Sequence, residues 1–216
     1  MTNIKGVIFD LDGTLADSMQ IWDGIWEEYS DELGITLRPD QLRKMHSFSS
    51  IEEAEYVIKE FGLGLSPQEI VSGRNRLIQH FYDHEVPLKD GVIPVLEALS
   101  ARGIKMCIAS ASERVLVEPV LRRCGINEYF GRIFSCGEEE TSKSSPDIYI
   151  RAAAFMGTGI GETLVVEDAL YAIKTAKKAG FPVAGVYDLA ADDHQGEIKA
   201  ICDYYWVSMD EMLAIM

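Results

Sequence analysis

Two aspartates separated by one residue, Asp10 and Asp12, stand directly after a continuous apolar run and lead into Gly13-Thr14. Groups of similar chemistry close other apolar runs far along the chain. Ser110-Ala111-Ser112 follows residues 104–109, the adjacent acids Glu167-Asp168 follow residues 163–166, and Lys143 precedes a helical pattern that opens at Pro146. In an open parallel sheet, ligands bind at the carboxyl ends of the strands. Asp10, Asp12, Glu167, Asp168, Ser110 and Lys143 are therefore expected to collect at one rim. Several carboxylates cannot ionise together in a crevice without a cation. Asp and Glu oxygens without His or Cys suit a hard ion, Mg²⁺ foremost. Such an ion attracts an anion that the acids alone would repel. Ser110, Lys143 and backbone N–H groups at helix N-termini offer donors for phosphate oxygens. A carboxylate shielded by the ion can attack phosphorus and form an aspartyl phosphate. The carboxylate two residues on can protonate the leaving alcohol and later deprotonate water, a role worth roughly 10²–10⁴-fold.

The elements that must position these residues are legible in outline. Residues 4–9 are apolar without interruption, the pattern of a strand covered on both faces. A helix is expected over residues 17–34, where Trp22, Ile25, Trp26, Tyr29 and Leu33 share one face. Further amphipathic helices are expected over 50–61 and from Ser66-Pro67-Gln68-Glu69 onward, the latter opening on a cap residue, a proline and an acid. No strand is expected between residues 16 and 86. From Pro87 the pattern alternates. Helices are expected over 91–102, 113–124, 146–156 and 170–179, strands over 104–109, 132–135, 163–166 and 182–187, and a last strand and helix over 204–207 and 210–215. Alternation of this kind implies an α/β fold, a Rossmann-like parallel sheet with helices on both faces. An all-helical insertion enters it just after the first strand. The expected division is a core of residues 1–15 and 87–216 and a helical cap of residues 16–86.

Asp10-Leu11-Asp12-Gly13-Thr14-Leu15 after an apolar strand resembles the first motif of the haloacid dehalogenase-like hydrolase superfamily. Ser110, Lys143 and Glu167-Asp168 resemble its second, third and fourth motifs, in that order, and the likeness spans nearly the whole chain. The helical insertion looks like the small cap of the branch that includes β-phosphoglucomutase and many sugar-phosphate phosphatases. The resemblance implies that Asp10 is the nucleophile and a metal ligand. It implies that Asp12 is the general acid/base, with its carbonyl on the metal. Asp168 would be a direct ligand and Glu167 a direct or water-mediated one. Ser110 and Lys143 would hold the phosphoryl group, assisted by the Ala111 amide, and Lys143 would offset the charge of Asp10. Dehalogenases of the superfamily lack the second acid, so Asp12 favours phosphoryl chemistry.

There are departures. Ser144-Ser145 stands between Lys143 and the proline that commonly follows this lysine, and Ala169 and Ala172 replace a common serine and glycine. Trp22 stands roughly where the mutase has a histidine, and Met45-His46-Ser47-Phe48-Ser49-Ser50 lacks the arginine of its substrate loop. The expectation is a Mg²⁺-dependent phosphatase for a small phosphate monoester such as a sugar phosphate. A phosphosugar mutase is the alternative, and a non-catalytic binding protein on the same fold a more distant one.

The remaining features are read more plainly. Ser112 is expected to cap the helix that follows it, Trp22 and Trp26 to lie in the cap core, and Glu138-Glu139-Glu140 to be exposed. His46 could face a leaving group, although a surface position is the plainer reading. Cys107, Cys124, Cys136 and Cys202 form no CxxC pair and read as reduced residues. Twenty basic against 35 acidic residues give a charge of −15, which disfavours nucleic acid and anionic membranes as partners. No apolar run approaches the ~20 residues of a membrane span, and Met1-Thr2-Asn3-Ile4-Lys5 does not read as a secretion signal. The expected location is cytoplasmic.

Overall fold

The computed structural model describes residues 3–45 and 48–216 of the chain. Strand β1 (Gly6–Phe9) is buried along its whole length. It pairs in parallel with β2 (Lys105–Ser110) on one side and β4 (Thr163–Glu167) on the other. With β3 (Ile133–Ser135), β5 (Val183–Val186) and β6 (Tyr204–Trp206) it forms a six-stranded parallel sheet in the order β3-β2-β1-β4-β5-β6. The period of two along β1 divides the packing. Val7 and Phe9 join one buried cluster and Ile8 joins another on the opposite face.

Among the described residues, four helices follow β1 before the strand–helix alternation begins: α1 (Met19–Leu33), α2 (Pro39–Met45), α3 (Ser50–Phe61) and α4 (Pro67–His84). Capping boxes fix the starts of α3, through Ser49 and Glu52, and of α4, through Ser66 and Glu69, with a proline at the start of α4. The alternating part adds α5 (Val92–Ala101), α6 (Arg114–Arg123), α7 (Asp147–Met156), α8 (Leu170–Lys178) and α9 (Gln195–Ile201). Helix α7 packs beneath β2 and β1, while α4 of the insert packs against α6. Val7 and Phe9 share their cluster with insert residues Ile25, Trp26, Ile78 and Tyr82.

The fold class is as the periodicity implies. Two local expectations change. Residues 210–215 do not form an α-helix: Met209–Ile215 is 3₁₀, buried only at Met209 and Met212. After β5, a 3₁₀ segment at Leu189–His194 leads into α9, an element the periodicity does not announce because Gln195 and Ile198 are its buried residues. All four cysteines are free, as expected. Among the described residues no helix is long and apolar enough to cross a membrane.

Candidate active site

The parallel register brings the distant motifs level. Phe9 pairs with Ile108 on one side and Val166 on the other, so the residues that follow, Asp10, the end of β2 at Ser110, and Glu167-Asp168, emerge at one rim. The Asp10 amide donates to the Val166 carbonyl at 3.0 Å, holding the loop to the sheet. The loop then turns at Gly13, with φ of 80°, where an added Cβ would lie 2.4 Å from an Asp168 carboxylate oxygen. Glycine is required there for both backbone conformation and space. Thr14 Oγ1 donates to Asp168 at 3.3 Å. Lys89 braces the turn from the far connection of the insert. Its ammonium donates to the Gly13 carbonyl at 2.6 Å and to the Tyr187 carbonyl and Asp188 at 2.7 Å each.

Asp10, Glu167 and Asp168 are all buried, and each offers a carboxylate oxygen within 4.8 Å of the others. Lys143 is buried among them, pairing with Asp10 and, at 2.6 Å, with Glu167. The serines after Lys143 do not displace it from the rim. One ammonium cannot serve three carboxylates. Burial, then the charge of Glu167, pushes the Asp10 carboxyl well above the usual carboxylate range, with Lys143 opposing. The same two causes raise Asp168 to about 7. Burial disfavours the charge on Lys143, but Asp10 and Glu167 outweigh it and hold the lysine firmly protonated. Tyr149 donates to Glu167 Oε1 at 3.0 Å, yet Glu167 Oε2 is buried with no hydrogen-bond partner. An orphaned carboxylate oxygen, a surplus of buried negative charge and an all-oxygen donor set fit a hard divalent cation.

Asp12 stands apart from this trio and is partly exposed. Its Oδ1 accepts from Ser18 at 2.6 Å and from Tyr82, and its Oδ2 accepts from Ser112 at 2.6 Å. Ser112 is therefore not the cap expected of it. Glu113 occupies the N-cap position of α6, and the Ser112 hydroxyl reaches across the rim to Asp12 instead. Ser110 is fully buried at the end of β2, its hydroxyl accepting the Ser112 amide at 3.0 Å. The Ala111 carbonyl accepts from Ser50 of α3 at 3.4 Å, a direct tie between insert and rim.

Beside the rim, the insert buries a charge the sequence reading passed over. Arg74 of α4 is 1% exposed, pairs with Glu53 of α3, donates to Ser50 Oγ at 2.8 Å, and lies over the rings of Trp22 and Trp26 at 4.9 and 5.9 Å. Burial pulls its guanidinium down to about 10. The signal was available: Val71, Arg74, Asn75 and Ile78 share one helical face, and an arginine on an apolar stripe must have partners. Trp26 is buried in the insert as expected, while Trp22 is half-buried and donates to Tyr82. Glu138 is exposed as expected and Glu139 is half-buried, and both are paired. Arg114 pairs with the first, and Arg132 and Arg151 with the second. His46 lies outside the described residues.

The fold and this rim define a class. Residues 4–180 match the haloacid dehalogenase-like hydrolases, and the chain belongs to that family of enzymes. Its relatives include a β-phosphoglucomutase of Bacillus subtilis, 28% identical over 190 residues that cover 85% of this chain and 83% of that protein. A 6-phosphogluconate phosphatase of Escherichia coli is 26% identical over 200 residues, covering 92% and 88%. Among solved structures, CbbY from Rhodobacter sphaeroides in complex with phosphate superposes with a TM-score of 0.83 at 21% identity, covering 97% of this chain and 96% of that one.

Proposed function

We propose that the chain is a Mg²⁺-dependent phosphatase that hydrolyses a small phosphate monoester through an aspartyl phosphate on Asp10. The observation that carries this reading is the buried trio Asp10, Glu167 and Asp168, which holds more negative charge than Lys143 can balance. Asp10, Glu167, Asp168 and the Asp12 carbonyl would hold the cation. When bound, the cation neutralises the acids and the incoming phosphoryl oxygens. A carboxylate oxygen of Asp10 attacks phosphorus, the bond from phosphorus to the ester oxygen breaks, and Asp12 gives that oxygen its proton. Water then attacks the aspartyl phosphate, Asp12 takes the water proton, and phosphate leaves from Asp10. Ser110, the Ala111 amide and Lys143 would hold the phosphoryl oxygens in place. The name of the 6-phosphogluconate phosphatase relative points to sugar phosphates.

The arrangement also suggests motion. Asp10 and Asp168 are only 5% and 4% exposed, so a substrate needs a way in. We take residues 16–86 as a cap over a core of residues 1–15 and 87–216, opening to admit substrate and closing to exclude water. Small-angle scattering with and without a phosphate mimic would show a change in compactness; a fixed profile would count against the lid.

A second reading, phosphosugar mutase, is favoured by the β-phosphoglucomutase relative. The segment from Met45 to Ser50 has no arginine, but Arg74 reaches Ser50 from α4, which narrows that distinction. The test is a panel of phosphate esters with Mg²⁺, with chelator, and with Asp10→Asn. Free phosphate released only by the metal-loaded wild type supports the phosphatase. Isomerised sugar phosphate with little free phosphate supports the mutase. Activity that survives in Asp10→Asn overturns both.

A further inference from the structure

We propose that Tyr82, on α4 of the helical insert, is a positioning residue that directs the proton-transfer chemistry of Asp12 to a single oxygen, Oδ2. This rests on the phosphatase reading, in which Asp12 gives and takes the proton.

An ionised carboxylate offers about four acceptor positions, two on each oxygen. On Asp12 both positions of Oδ1 are filled, one by Ser18 and the other by Tyr82, while Oδ2 receives only Ser112. The one position left is on Oδ2. The donors come from three separate segments: the residue before α1, the last turns of α4, and the loop after β2.

Tyr82 is equipped to hold its end. It is fully buried, and its ring meets Trp22 edge-on, with centroids 6.2 Å apart and planes at 81°. The Trp22 indole N–H donates to the Tyr82 hydroxyl oxygen at 2.5 Å. Indole nitrogen is a donor only, so the phenolic hydrogen cannot turn toward Trp22 and is left for Asp12.

The consequence is regiochemical. When Asp12 is protonated, the proton sits on Oδ2, because Oδ1 is already ringed by donors. When Asp12 acts as a base, the water proton arrives at the same atom. Since Tyr82 belongs to the insert, any movement of the insert away from the rim breaks this contact. Proton transfer is thereby tied to the docked insert.

The test is Tyr82→Phe in the full chain with Mg²⁺, assayed on an alkyl phosphate and on 2,4-dinitrophenyl phosphate. The dinitrophenolate needs no proton to leave. The variant is expected to lose roughly 10–100-fold in kcat on the alkyl ester, a part of what a general acid/base supplies, with KM nearly unchanged. On the dinitrophenyl ester it should show a dinitrophenol burst of near-normal rate followed by slow turnover, as the water step stalls. Added to Asp12→Asn, it should cost almost nothing more, since the two act as a unit. Burst and turnover slowed alike, a change in KM alone, or a full additional loss on top of Asp12→Asn would overturn the inference. If Tyr82→Phe does not fold, Trp22→Phe, which frees the phenol to rotate, must show the same pattern in milder form, and its absence there is equally fatal. A wild type inactive on both esters removes the phosphatase reading and this inference together; an active wild type with an unaltered Tyr82→Phe removes only the inference.

Discussion

At the rim of the sheet Asp10, Glu167 and Asp168 share a single buried cation, Lys143, whereas within the helical insert Arg74 is matched one to one by Glu53. Both regions take charge out of water, which is costly unless geometry and hydrogen bonds compensate. The insert compensates for the charge locally: Arg74 has a carboxylate, a hydroxyl and two indole faces around it, although its Nε is buried without a hydrogen-bond partner. The rim does not, for burial and mutual repulsion raise Asp10 and Asp168 together while Lys143 pairs with only Asp10 and Glu167. A balanced buried pair holds a shape. An unbalanced cluster is a standing demand for something from outside the chain. That contrast separates the residues expected to govern chemistry from those expected to govern the form of the insert.

The contrast can be broken most sharply at Asp10. Asp10→Asn removes the attacking oxygen and is expected to cost on the order of 10⁴–10⁶ in kcat, measured as phosphate release. Its melting temperature without metal should stay level or rise, because one of three repelling carboxylates has gone. A fall of many degrees would mean that the rim is balanced in ways the charges do not show. At the insert the signs are reversed. Arg74→Met leaves the partly buried Glu53 without its partner and is expected to destabilise by about 3 kcal/mol, read by denaturant titration. The double variant with Glu53→Gln should recover much of that loss. If it recovers none, the pair is not the unit that matters.

The sequence foretold the rim better than the insert for physical reasons. Asp10, Ser110 and Glu167-Asp168 lie at the ends of strands whose register is fixed by continuous apolar runs, so place in the chain translates directly into place in space. Lys143 reached its partners despite Ser144 and Ser145, because its position depends on a salt bridge to two acids more than on the loop's exact path. In the insert the packing of four short helices decides which side chains meet, and periodicity gives each helix a face but not a neighbour. Thus Tyr82 reads as one more apolar residue of α4 although its hydroxyl lies on Asp12. Ser112 reads as a cap although its hydroxyl is committed across the rim. Arg74 alone carried a local warning, a charge on an apolar stripe.

Two smaller effects sharpen the same contrast through the rim alone. Mg²⁺ at a hundredfold excess over its Kd should stabilise the fold by about 2.7 kcal/mol, a rise of roughly 5–10 °C in melting temperature for a chain of this size. Asp10→Asn should lose most of that rise, while Arg74→Met should keep it. The last effect is the dependence of the metal-free protein on pH. Asp168 titrates near 7 in the folded chain against 3.8 for a free aspartate, and Asp10 shifts in the same direction. The folded state therefore binds more protons than the unfolded state across that window, and stability must fall as pH rises through it. For Asp168 the loss should begin near the free-aspartate value and level off once pH passes about 7. This is opposite to the behaviour of salt-bridged surface acids, which gain stability over the same range. Thermal melts in chelator from about pH 5 to about pH 8 would register it. Saturating Mg²⁺ should flatten the slope, because a cation favours the ionised acids that burial penalises. A metal-free protein whose stability rises through this window would show that the rim is not short of positive charge, and the division between an unsatisfied rim and a self-sufficient insert would fail with it.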